Sequence, residues 1–106
     1  MFLPGIGSAQ DFTGRFWLAG EQRNATGCIA FDPQFTREHT LTVTGGQATL
    51  TSPGGIQTSL KLVKPGVYEE ETDLGGLQLK VVADLNDKVL TASDKYIGCW
   101  WTAKWQ

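Results

Sequence analysis

A recurring pattern of turns constrains this chain more than any other feature. Turn-forming residues return at short intervals: Gly45-Gly46, Pro53-Gly54-Gly55, Lys64-Pro65-Gly66, Asp73-Leu74-Gly75-Gly76, Leu85-Asn86-Asp87 and Ser93-Asp94-Lys95. Turns spaced by about 8–12 residues, with alternating segments between them, specify an all-β sandwich or barrel. The segments do alternate. In "HTLTVT", Leu41 and Val43 oppose three threonines. In "QATLT", Ala48 and Leu50 share a side. In "IQTSLKL", Ile56, Leu60 and Leu62 share a parity, and in "LQLKVVADL" so do Leu77, Leu79, Val81, Ala83 and Leu85. A period of two places one face of each strand in a core and the other in solvent.

Strands are expected near residues 14–20, 26–31, 39–44, 47–52, 56–63, 66–72, 77–85, 88–93 and 97–105, with a short helical turn near Pro33 to Arg37. Nearly all connections are too short for crossovers, so neighbours in sequence pair in space. The expected fold is an all-β, single-domain antiparallel up-and-down meander. It closes into an eight- to nine-stranded barrel with the first strand beside the last, which leaves no open edges. A two-sheet sandwich is the alternative. Pro65-Gly66 suits a type II turn, and Gly45-Gly46 and Asn86-Asp87 suit two-residue hairpin loops.

The closing segment "IGCWWTAKW" places Ile97, Cys99, Trp101, Ala103 and Trp105 on an apolar face, opposite Gly98, Trp100, Thr102 and Lys104. Trp101 and Trp105 therefore belong to the interior. There they either pack the core or line a cavity. Trp100 points outward and is a candidate contact residue, since Trp is enriched at binding hot spots. The two cysteines, Cys28 and Cys99, form either one disulfide or two buried thiols. Across an intervening strand their Cα atoms would stand about 9–10 Å apart, and a disulfide needs less than about 7 Å. The bond therefore requires a strand end, a bulge or a crossing of the interior. If formed, it implies an oxidising compartment, secreted or periplasmic.

At 106 residues the chain makes one domain, read as a tail over residues 1–10 and a barrel over 11–106. Nine basic residues, scattered singly, against eleven acidic ones argue against a nucleic-acid groove. No apolar run reaches the roughly 20 residues of a membrane helix. No cofactor motif, nucleophile motif or metal-ligand spacing occurs, and no enzyme activity is expected. The acidic run Glu69-Glu70-Glu71 with Asp73 lacks the loop of a calcium site and reads as a solvated strand face. His39, beside Glu38 and near Asp32, reads as structural, and nothing selects Glu69 or Glu71 with Asp84 as a carboxylate pair. Asn24-Ala25-Thr26 fits a glycosylation sequon and reads as a turn.

The segment "DFTGRFWLAG" carries Phe12-x-Gly14-x-Phe16-x-Leu18. It resembles the opening strand of the calycins, the lipocalin, fatty-acid-binding and avidin barrels, over about eight residues. The resemblance implies that Gly14 holds the family's glycine place. It makes Phe16, or less well Trp17, the aromatic plug, and Lys104 the basic residue that covers it. Small periplasmic metalloprotease inhibitors are similar in outline, but their two cysteines lie closer in sequence than Cys28 and Cys99. Two functions follow as expectations. The first is capture of a small apolar molecule inside the barrel by Phe16, Leu41, Leu60, Leu79, Trp101 and Trp105. The second is an interaction or inhibitor module with a filled core, contacting a protein or glycan through Phe2, Leu3 and Trp100.

Overall fold

The computed structural model describes residues 11–21, 24, 26–74 and 77–106. The tail with Phe2 and Leu3, and the Gly75-Gly76 pair, lie outside the described residues. Among the described residues, nine antiparallel strands form one curled sheet, a half-barrel. They are β1 (Phe12–Phe16), β2 (Ala19–Gly20), β3 (His39–Thr44), β4 (Gln47–Thr51), β5 (Gln57–Lys64), β6 (Val67–Leu74), β7 (Leu77–Asp84), β8 (Val89–Asp94) and β9 (Cys99–Lys104). The order is β1-β3-β4-β5-β6-β7-β8-β9-β2. The expected first strand is thus two pieces of one pass of chain, broken at Trp17-Leu18. β1 pairs with β3, and β2 pairs with β9. The two ends of the meander therefore meet at a covalent joint.

One expected strand is absent. "TGCIAF" is a 3-10 helix (Thr26–Phe31) running into the one-turn helix α1 (Asp32–Phe35), with Pro33 in its first turn. Pro fixes a helical φ and needs no hydrogen-bond donor there. The short apolar run satisfies either element, and here its Cys28 is buried while Ile29 is exposed. That end of the barrel is thus crossed by helical turns.

The alternation predicts the core well. Leu41, Val43, Ala48, Leu60, Tyr68, Leu79, Val81, Ala83, Leu90, Cys99 and Trp101 are all buried. Three residues depart from their expected faces. Ile56 precedes β5 in the turn, and Ile97 sits in the turn before β9; both are exposed. Leu62 is exposed although its register partner Tyr68 is buried, and it borders the β5–β6 register shift between Leu62 and Lys64. A bulge inserts a residue and rotates the strand away from its alternation.

The turns differ in how closely they follow expectation. Gly45 and Gly46 both have positive φ (59° and 84°), as a primed hairpin turn requires. Gly66 has φ 79°, the third position of a type II turn. Asn86-Asp87 is not a two-residue loop. Residues 85–88 form a longer turn in which Asp84 Oδ1 accepts from the Asn86 and Asp87 amides, both at 2.9 Å, and Lys88 takes the positive φ.

Candidate functional site

The site arises from a failure of pairing. β4 and β5 stay in register from Ala48↔Leu60 to Thr51↔Gln57. β6 and β7 pair along their whole length, from Val67↔Asp84 to Leu74↔Leu77. Between them, β5 and β6 pair only at Lys61↔Glu69, Leu62↔Tyr68 and Lys64↔Val67. Beyond Lys61↔Glu69, residues 57–60 and 70–74 have no register partners across this junction, and the sheet parts into a cleft.

A cavity of about 370 Å³ opens there, within the range of about 300–1,000 Å³ common for small-molecule sites. Its deep wall is apolar, formed by Leu18, Phe35, Leu50, Leu79, Val81, Leu90 and Ala92. Its mouth is polar, formed by Ser52, Gln57, Thr58 and Ser59 on one side and Glu70, Glu71, Thr72 and Asp73 on the other. Cross-strand partners share a face of the sheet. Glu70↔Val81 and Thr72↔Leu79 therefore put Glu70 and Thr72 on the inner face. Leu50↔Thr58 does the same for Thr58.

His39, at the start of β3, also lines the cavity and is only 6% exposed. Its Nδ1 lies 2.9 Å from the Arg37 carbonyl oxygen. A carbonyl only accepts, so Nδ1 donates and, in the neutral ring, Nε2 carries the lone pair. Loss of solvent lowers the His39 pKa from 6.5, opposed by the Arg37 hydrogen bond. The ring is therefore mostly neutral at pH 7.

Compared with known proteins, the chain matches no family model, no curated protein and no solved structure. Function must be read from the site itself.

Of the six residues expected to line a cavity, Leu79 does so. Phe16, Leu41, Leu60 and Trp101 are buried in the packed core. Trp101 is screened from the cavity by Phe35, whose ring stacks on it at 4.0 Å, and its Nε1 donates to Asp32 Oδ1 at 2.7 Å. Trp105 lies at the opposite end, 4.9 Å from Phe16 and 5.5 Å from Phe12. Phe16 is buried where Trp17 is exposed, and Trp105 packs on Phe16 while Lys104 is exposed. Gly14 allows this arrangement, since a Cβ there would come within 2.7 Å of the Phe16 ring and 2.9 Å of the Phe12 ring.

Cys28 and Cys99 are bonded, with Cα atoms 5.8 Å apart. Cys28 lies in the helical turn above the barrel and Cys99 at the first residue of β9, so no strand intervenes between them. The bond ties the crossing segment to the sheet.

Trp100 is half-buried on the outer face. Asn24 grips its backbone: Asn24 Nδ2 donates to the Trp100 carbonyl at 2.6 Å, and the Trp100 amide donates to Asn24 Oδ1 at 2.9 Å. The side-chain amide continues the β2–β9 ladder where β2 ends. The sequon residue thus has its nitrogen engaged in the fold. The Glu and Asp candidates are structural too. Glu69 pairs with Lys80 at 3.5 Å, and Asp84 organises its turn.

Cavity residues that sequence alone did not nominate include Phe35, His39, Thr58, Glu70 and Thr72. The one available signal was parity: Glu70 stands opposite Glu69 and Glu71 in the alternation, and it alone of the three turns inward. No helix among the described residues is long and apolar enough to cross a membrane.

Proposed function

We propose that this chain is a non-enzymatic binder of a small, largely apolar molecule, taken in through the cleft between β5 and β6. The observation that carries this reading is the cavity of about 370 Å³ with apolar walls and a polar mouth. Burial of ligand surface at about 25 cal/mol per Å² supplies affinity, and the mouth residues set orientation. The disulfide suits an oxidising compartment, and we place the protein outside the cytoplasm, secreted or periplasmic. The test is titration with the neutral fluorescent probe N-phenyl-1-naphthylamine. Its emission should rise on binding, and Thr58→Trp or Thr72→Trp, which fill the mouth, should suppress the rise without lowering thermal stability. No emission change with the native protein overturns the reading.

A second reading, contact with a protein or glycan through the tail and Trp100, draws on a different feature. Trp100 lines an outer groove of about 320 Å³ with Gln78, Lys80, Ser93 and Lys95. Trp100→Ala would abolish such contact and leave probe binding intact.

A further inference from the structure

The cleft has a chemical bias. Among the described lining residues there is no Lys or Arg, whereas Glu70, Glu71 and Asp73 all border the mouth. Glu70 is the inner of the three. Its register partner is Val81, so its side chain leaves the sheet on the face of the apolar wall, and its Oε1 accepts the Glu71 amide at 3.1 Å, leaving Oε2 for a ligand. Glu71 and Asp73 stand on the opposite face, at the lip. On the far side of the cleft the side chains of Ser52, Thr58 and Ser59 are uncharged hydroxyls.

An independent feature deeper in the cavity has the same sign. His39 is 94% buried by the complement of its 6% exposure, and it faces the cavity. Its Nδ1 is committed to the Arg37 carbonyl. Nε2 therefore offers a lone pair and has no protein donor among the described residues. Among the described residues no side-chain polar atom is both sealed from solvent and unpaired, so Nε2 keeps some accessible surface, and His39 lines the cavity. A lone pair on the cavity wall favours a ligand that donates. A carboxylate or phosphate head would instead meet Glu70 and the imidazole lone pair, with no cation to offset either.

We propose that the cleft selects cationic amphiphiles: amines whose aliphatic or aromatic body lies against Leu79, Val81, Leu90 and Ala92 and whose ammonium group is held at Glu70. This rests on the reading of the cleft as an apolar ligand site and names the head group that site takes. The ammonium group supplies donors that the carboxylate accepts, and charge-assisted bonds of this kind are the strong ones.

Calorimetric titration of the full oxidised chain with octylammonium, 1-octanol and octanoate tests it, since the three share one body and differ in head charge. Octylammonium should bind about tenfold more tightly than 1-octanol, the least that a hydrogen bond to a charged group contributes. Octanoate should bind weakest of the three. Glu70→Gln should bring octylammonium level with 1-octanol while the alcohol's own affinity holds, which also shows that the variant is folded. Glu69→Gln, on the outer face, should change nothing. Should Glu70→Gln fail to fold, the double variant E71Q/D73N should still weaken octylammonium by about threefold while sparing 1-octanol, as the loss of two lip charges screened by solvent predicts. Equal binding of ammonium and alcohol, or tightest binding of octanoate, overturns the head-group assignment and leaves apolar capture standing. Binding of none of the three overturns both.

Discussion

The two ends of this barrel are closed in different ways. One end is filled by β1 and by the residue that follows β9. Phe12, Phe16 and Trp105 pack against one another, and Gly14 leaves room for the Phe12 and Phe16 rings. The other end is crossed by a separate segment, residues 26–35, held down by the Cys28–Cys99 bond and by Phe35 on Trp101. A plug made of strand side chains fills its space, because each ring's position is set by the ladder beneath it. A segment laid across the mouth covers only what it reaches. It seals Trp101 and leaves the side facing β5 and β6 open.

The comparison can be broken most forcefully at the crossed end. Trp101→Ala should destabilise by about 3–5 kcal/mol, the range for truncating a buried aromatic, and it strands Asp32 as well. Urea denaturation would measure it. A smaller effect than that of Phe16→Ala would show that the strand-built plug, not the crossing segment, dominates stability. Reducing the disulfide should cost about 4 kcal/mol, the chain-entropy value for a loop of this size; its sequence separation is 71 residues. Because the bond holds the crossing segment, reduction should also raise hydrogen exchange in residues 26–35 while sparing β3 and β4. Uniform exchange would show that the two ends unfold together.

At the strand-built end, Gly14→Ala should destabilise by about 1–3 kcal/mol, since the added methyl forces aside two packed rings. A neutral result in thermal denaturation would mean that the rings shift freely and the plug is loose.

A pH series sharpens the comparison at the cavity. The folded-state pKa of His39 is lowered, so the unfolded chain binds the proton more readily. The stability this group contributes is complete above the unfolded value of about 6.5 and is lost as pH falls through the folded value. Denaturation midpoints should therefore drop as pH falls below about 6.5, and His39→Gln should flatten that part of the curve. The smallest effect belongs to the turn at residues 85–88. Lys88 has φ 58°, a conformation that costs an L-residue energy. Lys88→Gly should raise stability by about 0.5 kcal/mol, net of the extra freedom gained by the unfolded chain.

Where alternation ran unbroken, the sequence was a reliable guide. β3, β4 and β7 lie within a residue or two of their expected bounds, and Leu41, Val43, Ala48, Leu79 and Val81 are inward as expected. It misled at residues 26–31, where a six-residue apolar stretch fits a strand or a helical turn equally. It misled again at Leu62, which is exposed beside the register shift that follows it. The candidate lining residues failed for a related reason. Sequence parity separates inside from outside but does not tell a filled part of the interior from an empty one, so Trp101 and Leu79 looked alike.

The antiparallel β meander, most of its turns and most of its core are legible in the amino-acid pattern. Those features depend on local φ preference and a period of two, both readable within a few residues. Tertiary structure alone decided that Cys28 reaches Cys99 over the barrel end, that Phe35 covers Trp101, and that β5 and β6 separate to open a cavity beside Glu70 and His39. Each of these turns on how far apart two remote segments come to rest. That distance is set by the summed twist and register of every strand between them, and no local stretch of sequence encodes it.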